Sequence, residues 1–195
     1  MKVIRNYLYN VGYQVLAIIV PLITSAYVAR VLRPEGVGAN AFTNSVIQYF
    51  ILFASMGIGY YGNRQIAYVR RNQQKMANTF WEIQIVKTIM TLIAFIAFEV
   101  FMIFYTKQPE YMWAQSINLV AVAFDISWFY EGIEDFKVTV LKNSFVKIVS
   151  MIAIFIFIKG PNDVTLYIAV LAISTLLGNL TLWPNIRRDL PKVNF

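Results

Sequence analysis

Six apolar stretches, each close to the roughly 20 helical residues needed to cross about 30 Å of hydrocarbon, occupy most of this 195-residue chain. They run from Leu8 to Leu32, Ala39 to Tyr61, Phe80 to Tyr105, Met112 to Ile133, Thr139 to Ile158 and Val164 to Trp183. Such a pattern constrains the fold more than any motif does, because a spanning segment must satisfy every backbone group internally and therefore be helical. Composition agrees: 58% of residues are hydrophobic and 14% charged, with a mean hydropathy of +0.58. The expected class is all-α, a polytopic membrane protein forming one six-helix transmembrane bundle across residues 1–195, with no soluble domain. Gly, Pro and charge gather between the stretches, as RPEGVG, KQPEY, EDFK and KGPND, where a chain reverses in water.

Orientation follows from Lys and Arg, which accumulate in cytoplasmic loops. The amino terminus and the even-numbered connections hold eleven: Lys2, Arg5, Arg64, Arg70, Arg71, Lys75, Lys137, Lys142, Arg187, Arg188 and Lys192. Arg30, Arg33, Lys107 and Lys159 make four on the other side, so both termini are expected in the cytoplasm. The formal charge of +7 is then a topology signal and an attraction to anionic membrane lipid, about 1 kcal/mol per surface Lys or Arg, rather than a nucleic-acid footprint. Lys2 and Arg5 precede an apolar run too long for a cleaved signal, which favours an uncleaved first helix. The segment from Asn63 to Thr79 is the longest and most basic connection; it reads as a solvated topogenic loop, with a short interfacial helix on anionic headgroups as the alternative.

Much chemistry is excluded. Without Cys or His there is no thiol nucleophile, imidazole base, disulfide or zinc ribbon, and no metal or cofactor is expected. GIGYYG (Gly57, Gly59, Gly62) matches a dinucleotide fingerprint in letters, yet it follows a membrane span and lacks the acidic residue about 20 positions on. Those glycines are better suited to close helix contact and a bend. Pro21, in mid-span, removes one backbone hydrogen bond; a bend is expected there, with Thr24 and Ser25 placed to satisfy freed carbonyls. It serves either as a hinge or as a tolerated membrane proline.

Ionisable groups inside spans each cost at least about 2.5 kcal/mol at the helix centre and need partners or water. Lys87, Asp125 and Lys147 lie seven to eight residues inside their spans, a common depth of roughly 10 to 12 Å from the cytoplasmic ends. Gln84, Lys87, Thr88, Thr91 and Glu99 share one arc of the third span; Asn118, Ala121, Asp125 and Gly132 share a face of the fourth. Either one lysine neutralises Asp125 in a structural ion pair while the other snorkels, or one lysine stays free in a wet cavity as a cationic site for a phosphate or pyrophosphate.

Three ordered segments carry a family resemblance. AYVARVLRPEGVGANAFTNSVIQYF, MGIGYYGNRQIA and WFYEGIEDFKVTVLKNSFVKI resemble, in that order, the V-x-R-x-L-G-P-E-G-x-G stretch, the G-x-G-x-Y-G-x-R-x-I-A ending of the second span and the W-x-x-x-G-x-E-x-F-K segment of bacterial repeat-unit flippases of the Wzx type. These belong to the multidrug/oligosaccharide-lipid/polysaccharide exporter superfamily. Arg33 departs from the pattern, which has Gly before the Pro-Glu pair. The resemblance implies a carrier in the bacterial cytoplasmic membrane that moves undecaprenyl-pyrophosphate-linked oligosaccharide between leaflets, built from two facing bundles, with Arg30 and Arg64 matching cavity-lining basic positions. Because the sequence stops just past the sixth span, the expectation is an amino-terminal half, a truncated frame, or a half-sized protein that pairs with a second bundle or with itself. Competing readings are a non-transporting remnant or membrane scaffold for glycan assembly enzymes, and a multidrug exporter for organic cations. The last would want an acidic cavity, whereas Lys87, Lys147, Glu99 and Asp125 sum to zero and Arg30 and Arg64 bring the total to +2. No activated nucleophile with a base points to an enzyme.

Overall fold

The computed structural model describes the backbone of residues 2–105 and 107–190, with the side chains of 2–14, 16, 17 and 187–189 outside the description. Nine helices and no strand occur among the described residues. They are α1 (Lys2–Val31), α2 (Arg33–Ser55), α3 (Ile58–Val69), α4 (Gln73–Phe104), α5 (Pro109–Phe124), α6 (Ser127–Gly132), α7 (Phe136–Phe157), α8 (Val164–Leu180) and α9 (Trp183–Asp189). Residues 33–69, 73–104, 136–157 and 164–186 are each long and apolar enough to cross a membrane, and Ile18–Val31 of α1 is a shorter apolar stretch.

The periphery is apolar where a soluble protein would be polar: Ile18, Leu22, Leu52, Ile103 and Phe104 are all exposed. A bilayer removes the penalty for that surface. Without a hydrophobic force between helices, close packing depends on small residues. A side chain at Gly62 would strike the Trp128 ring, one at Gly132 would meet Ile66 and the Asn63 carbonyl, and one at Gly178 would overlap Val146.

Two expected spans are broken. The second ends at Met56 and Gly57, whose φ values of 29° and 74° turn the chain before α3 continues it. The expected loop 63–79 is therefore mostly helix: α3 carries it to Val69, and α4 begins at Gln73 behind an Asn72 cap whose Oδ1 accepts the Lys75 N–H at 3.0 Å. Only Arg70, Arg71 and Asn72 lie between helices. The fourth expected span is interrupted at Asp125 and Ile126, between α5 and α6. At the first turn, α1 passes into α2 within one residue; Arg33 takes φ 61°, a left-handed conformation natural to glycine and costly for a side chain.

Three buried clusters organise the packing. Ile66, Phe80, Trp128, Phe129 and Tyr130 belong to one joining α3, α4, α6 and α9. Ile47, Ala94, Phe98, Met112 and Leu119 join α2, α4 and α5. Val28, Leu32, Ile154, Ile158 and Ile168 join α1, α7 and α8.

Candidate binding site

The interruption after α5 has a local cause. Asp125 Oδ1 accepts the Ser127 backbone N–H at 3.1 Å and its hydroxyl at 2.6 Å, the side-chain-to-backbone turn by which Asp competes with a helix. Ending a helix here orphans its last four carbonyls, and in an apolar medium each unmet group costs several kcal/mol. Side chains from three other helices meet three of them. Asn179 Nδ2 donates to the Ala121 carbonyl at 2.7 Å, Gln84 Nε2 to Ala123 at 2.8 Å and Trp183 Nε1 to Phe124 at 2.9 Å. The Asp125 N–H serves Val122, and the Lys87 ammonium donates to the carbonyl of Asp125 itself.

A second ammonium completes this node. Lys142 Nζ donates to Ser127 Oγ and Asn179 Oδ1, both at 3.0 Å, and stands 3.7 Å from Asp125 Oδ1. Two cations thus face one carboxylate and the negative end of the α5 dipole. Lys87 is buried at 5% exposure and the Lys142 side chain at 11%, while the Asp125 side chain is 40% exposed. Beside the node a groove of about 280 Å³ runs between α7 and α9, lined by Val138, Leu141, Lys142 and Asn185 among others.

Of the two lysines expected to face Asp125, Lys87 reaches its backbone carbonyl, while the ion pair with its carboxylate is made by Lys142 rather than Lys147. Lys142, assigned above to a cytoplasmic connection, lies within α7. Five residues separate the two lysines, a rotation of about 140° and a rise of about 7.5 Å, so only one can face α5. Lys147 is half-buried near the middle of α7, and among the described residues its ammonium has no hydrogen-bond or ion-pair partner.

Other expected positions lie apart. Arg30 is exposed in the last turn of α1, and Arg64 is exposed on α3 with its guanidinium 5.7 Å from the Tyr68 ring centre. The 23 residues of α2 lie between them, about 35 Å of helix, so they do not share one site with the node. On α4, Gln84, Lys87 and Thr91 are buried as the polar arc implied, while Thr88 is exposed and Glu99 half-buried. Gly132 does not continue the face of Asp125, because the break re-aims α6. Helix α1 runs unbroken through Pro21. Thr24 Oγ1 donates to Val20 and Pro21, and Ser25 Oγ to Leu22; neither serves the carbonyl of Ala17, the one that Pro21 deprives of its donor. A further neutral cluster joins α2 to α5, where Gln115 Nε2 contacts Asn40 Oδ1 at 3.3 Å and Thr43 Oγ1 at 3.4 Å, and Asn118 donates to Gln115 at 2.9 Å.

Lys142, Ser127, Asn179 and Trp183 escaped sequence reasoning. The available signal was the Asp-x-Ser spacing inside an apolar run, which marks a turn whose carbonyls then require donors.

An apolar periphery enclosing a discontinuous crossing that gathers ionised side chains defines a polytopic α-helical membrane protein, of the kind in which carriers build sites at membrane depth. The family model described as "Polysaccharide biosynthesis protein" matches residues 3–195, and the chain belongs to that family. It is 26% identical over 165 residues to a protein of Escherichia coli (strain K12) named "Putative O-antigen transporter", covering 83% of this chain and 40% of that one. A Shigella dysenteriae protein of the same name is 26% identical over 147 residues, covering 74% and 37%. The chain thus spans about two fifths of the length of these curated relatives. No solved structure matches it significantly.

Proposed function

We propose that the chain forms the amino-terminal six-crossing bundle of a flippase that moves undecaprenyl-pyrophosphate-linked oligosaccharide repeat units across the bacterial cytoplasmic membrane, with both termini in the cytoplasm. Family membership and the names of the relatives support transport in polysaccharide biosynthesis. The observation that carries the site is the division of labour among the lysines. Lys87 and Lys142 are committed to protein acceptors at the α5 break, whereas Lys147 is a half-buried ammonium with no partner among the described residues.

An ammonium at membrane depth requires an acceptor, and phosphate oxygens form strong charge-assisted bonds with it. Lys147 is therefore the residue for the pyrophosphate. Arg30 and Arg64, at opposite ends of α2, act on the path to and from it, and Lys87 and Asp125 hold the walls. Pro21 is the hinge on which α1 moves. A facing bundle, from the same polypeptide or a second copy, closes the cavity.

The test is made in a full-length carrier. Lys147→Gln should lower transport of lipid-linked oligosaccharide at preserved membrane abundance, while Lys142→Gln should lower abundance itself. Normal transport by Lys147→Gln would remove the site assignment. Reporter fusions at Glu35, Gln108 and Gly160 should be external and one at Asn72 internal; an external Asn72 would overturn the orientation.

A further inference from the structure

The GIGYYG segment serves packing only in part; its remaining residues line a groove that the α5 break does not use. Gly57, at φ 74°, turns the chain into α3, and Gly62 lies so close to the Trp128 ring that no side chain fits there, which fixes the rotation of α3. Ile58, Tyr61 and Gln65, at i, i+3 and i+7 on one flank of α3, then face Thr79, Glu82 and Val86 of α4 across a cavity of about 230 Å³. Ile58 and Ile83, both buried, form its floor. Tyr61 and Glu82 are exposed at the rim, and Gln65 and Thr79 are half-buried.

Four polar heads line this groove, and among the described residues none of their side chains has a hydrogen-bond or ion-pair partner. The Tyr61 and Thr79 hydroxyls and the Gln65 amide can donate and accept, while an ionised Glu82 only accepts. Charge narrows the ligand. A phosphate inside the groove would meet the carboxylate of Glu82. Arg64 lies one turn from Tyr61 and Lys75 one turn from Thr79, neighbours on their helices, so an ammonium would enter against two positive charges. No cluster of carboxylates for a metal ion occurs among the described residues, and a hydrocarbon chain would leave all four heads unmet. A neutral ring with hydroxyls on its edge and C–H groups on its face fits: the hydroxyls meet Glu82, Gln65 and Thr79, and the face lies on Tyr61 and the isoleucine floor. Smaller than the roughly 300 to 1,000 Å³ of drug-sized sites, the cavity takes one such ring.

We propose that the α3–α4 groove is a saccharide subsite, holding one neutral sugar ring near the turn at Arg70 to Asn72. This rests on the reading of the chain as an oligosaccharide carrier with that turn in the cytoplasm, and adds a contact to the glycan of the cargo, separate from the lysine that meets phosphate. Glu82 makes the strongest bond, because an ionised acceptor strengthens a hydroxyl's hydrogen bond. Gln65 and Thr79 select among hydroxyl arrangements, since a sugar lacking the matching group leaves them unpaired.

Saturation-transfer difference NMR on the 195-residue chain in phosphatidylcholine nanodiscs tests the subsite, with the methyl glycosides of glucose, galactose and N-acetylglucosamine as probes. At least one glycoside should take up saturation, and excess ethanolamine should not displace it. Glu82→Ala should weaken its binding about tenfold or more, and Gln65→Leu and Thr79→Val about fivefold each. No saturation of any of the three probes, binding unchanged in these variants, or displacement by ethanolamine overturns the proposal. Should Glu82→Ala fail to accumulate, the other two variants decide by the same criterion. In a full-length carrier, Glu82→Ala should also lower transport of lipid-linked oligosaccharide at preserved abundance. Normal transport by Glu82→Ala where Lys147→Gln is impaired overturns the subsite and keeps the carrier. Glycoside binding that these variants abolish, in a protein that moves no lipid-linked oligosaccharide, keeps the subsite and overturns the carrier.

Discussion

The α5–α6 break and the proline turn of α1 present the same physical problem with opposite outcomes. Both interrupt the backbone ladder of an apolar helix, one at Asp125 and one at Pro21. At the first, Asn179, Gln84, Trp183 and Lys87 converge from α8, α9 and α4 to meet the exposed carbonyls, and Lys142 adds a cation beside the carboxylate. At the second, the neighbouring hydroxyls of Thr24 and Ser25 serve the carbonyls of Val20, Pro21 and Leu22, and among the described residues no side chain of another helix meets the carbonyl that Pro21 deprives of its donor. Backbone carbonyls met by protein donors at membrane depth make structure, although the Gln84 Oε1 beside them is buried without a partner; polarity left over is available to a ligand or a moving part.

The sharpest way to break that contrast is to uncap the node. Lys87→Met should destabilise the bundle by about 3 kcal/mol, because it leaves a carbonyl unmet and removes a buried cation beside Asp125. Chemical unfolding in mixed micelles checks it. Lys142→Met should cost a similar amount and be partly restored by Asp125→Asn, which removes the charge left behind. A loss below 1 kcal/mol for either lysine would mean that water, not protein, satisfies the break.

Gln84→Leu tests one carbonyl alone. Loss of its donor to Ala123 should cost about 1 to 3 kcal/mol, less than either lysine variant, and the same unfolding measurement ranks them.

The turn between α1 and α2 offers a change of opposite sign. Arg33, at φ 61°, occupies a conformation that disfavours a side chain by about 1 to 2 kcal/mol, partly offset by the greater freedom glycine has when unfolded. Arg33→Gly should therefore stabilise the chain by about 0.5 to 1 kcal/mol. A lower midpoint would show that the arginine makes a compensating contact.

Least in size is a pH effect confined to the loop between α7 and α8. The Lys159 and Gly160 N–H groups, both 2.8 Å from Asp163 Oδ2, hold that carboxyl below the usual carboxylate range. Since the folded pKa is the depressed one, its stabilisation is present above the ordinary value near 3.9 and is lost as pH falls through the folded value. Asp163→Asn should flatten the acid limb of a Tm-versus-pH curve and leave the plateau near neutral pH almost unchanged. An unaltered acid limb would place the acid sensitivity elsewhere.

Length and apolarity in the sequence determined the helical class and the approximate helices, since a chain cannot cross hydrocarbon with open backbone groups. The bend at Gly57, the close contact at Gly62 and the burial of Gln84, Lys87 and Thr91 were also legible, each arising from a single residue's chemistry or from one helix's periodicity. Family resemblance likewise rested on contiguous segments. That Lys142 and not Lys147 meets the Asp125 carboxylate was not legible, because both sit in the same helix and only its rotation against α5 and α8 selects between them. The break itself depends on donors that lie 38 to 59 residues away in the chain, so its cost, and hence its existence, could be judged only after α4, α8 and α9 had been brought around it. Tertiary structure decided those points for one reason: an intramembrane polar group is stable or reactive according to what other helices place beside it.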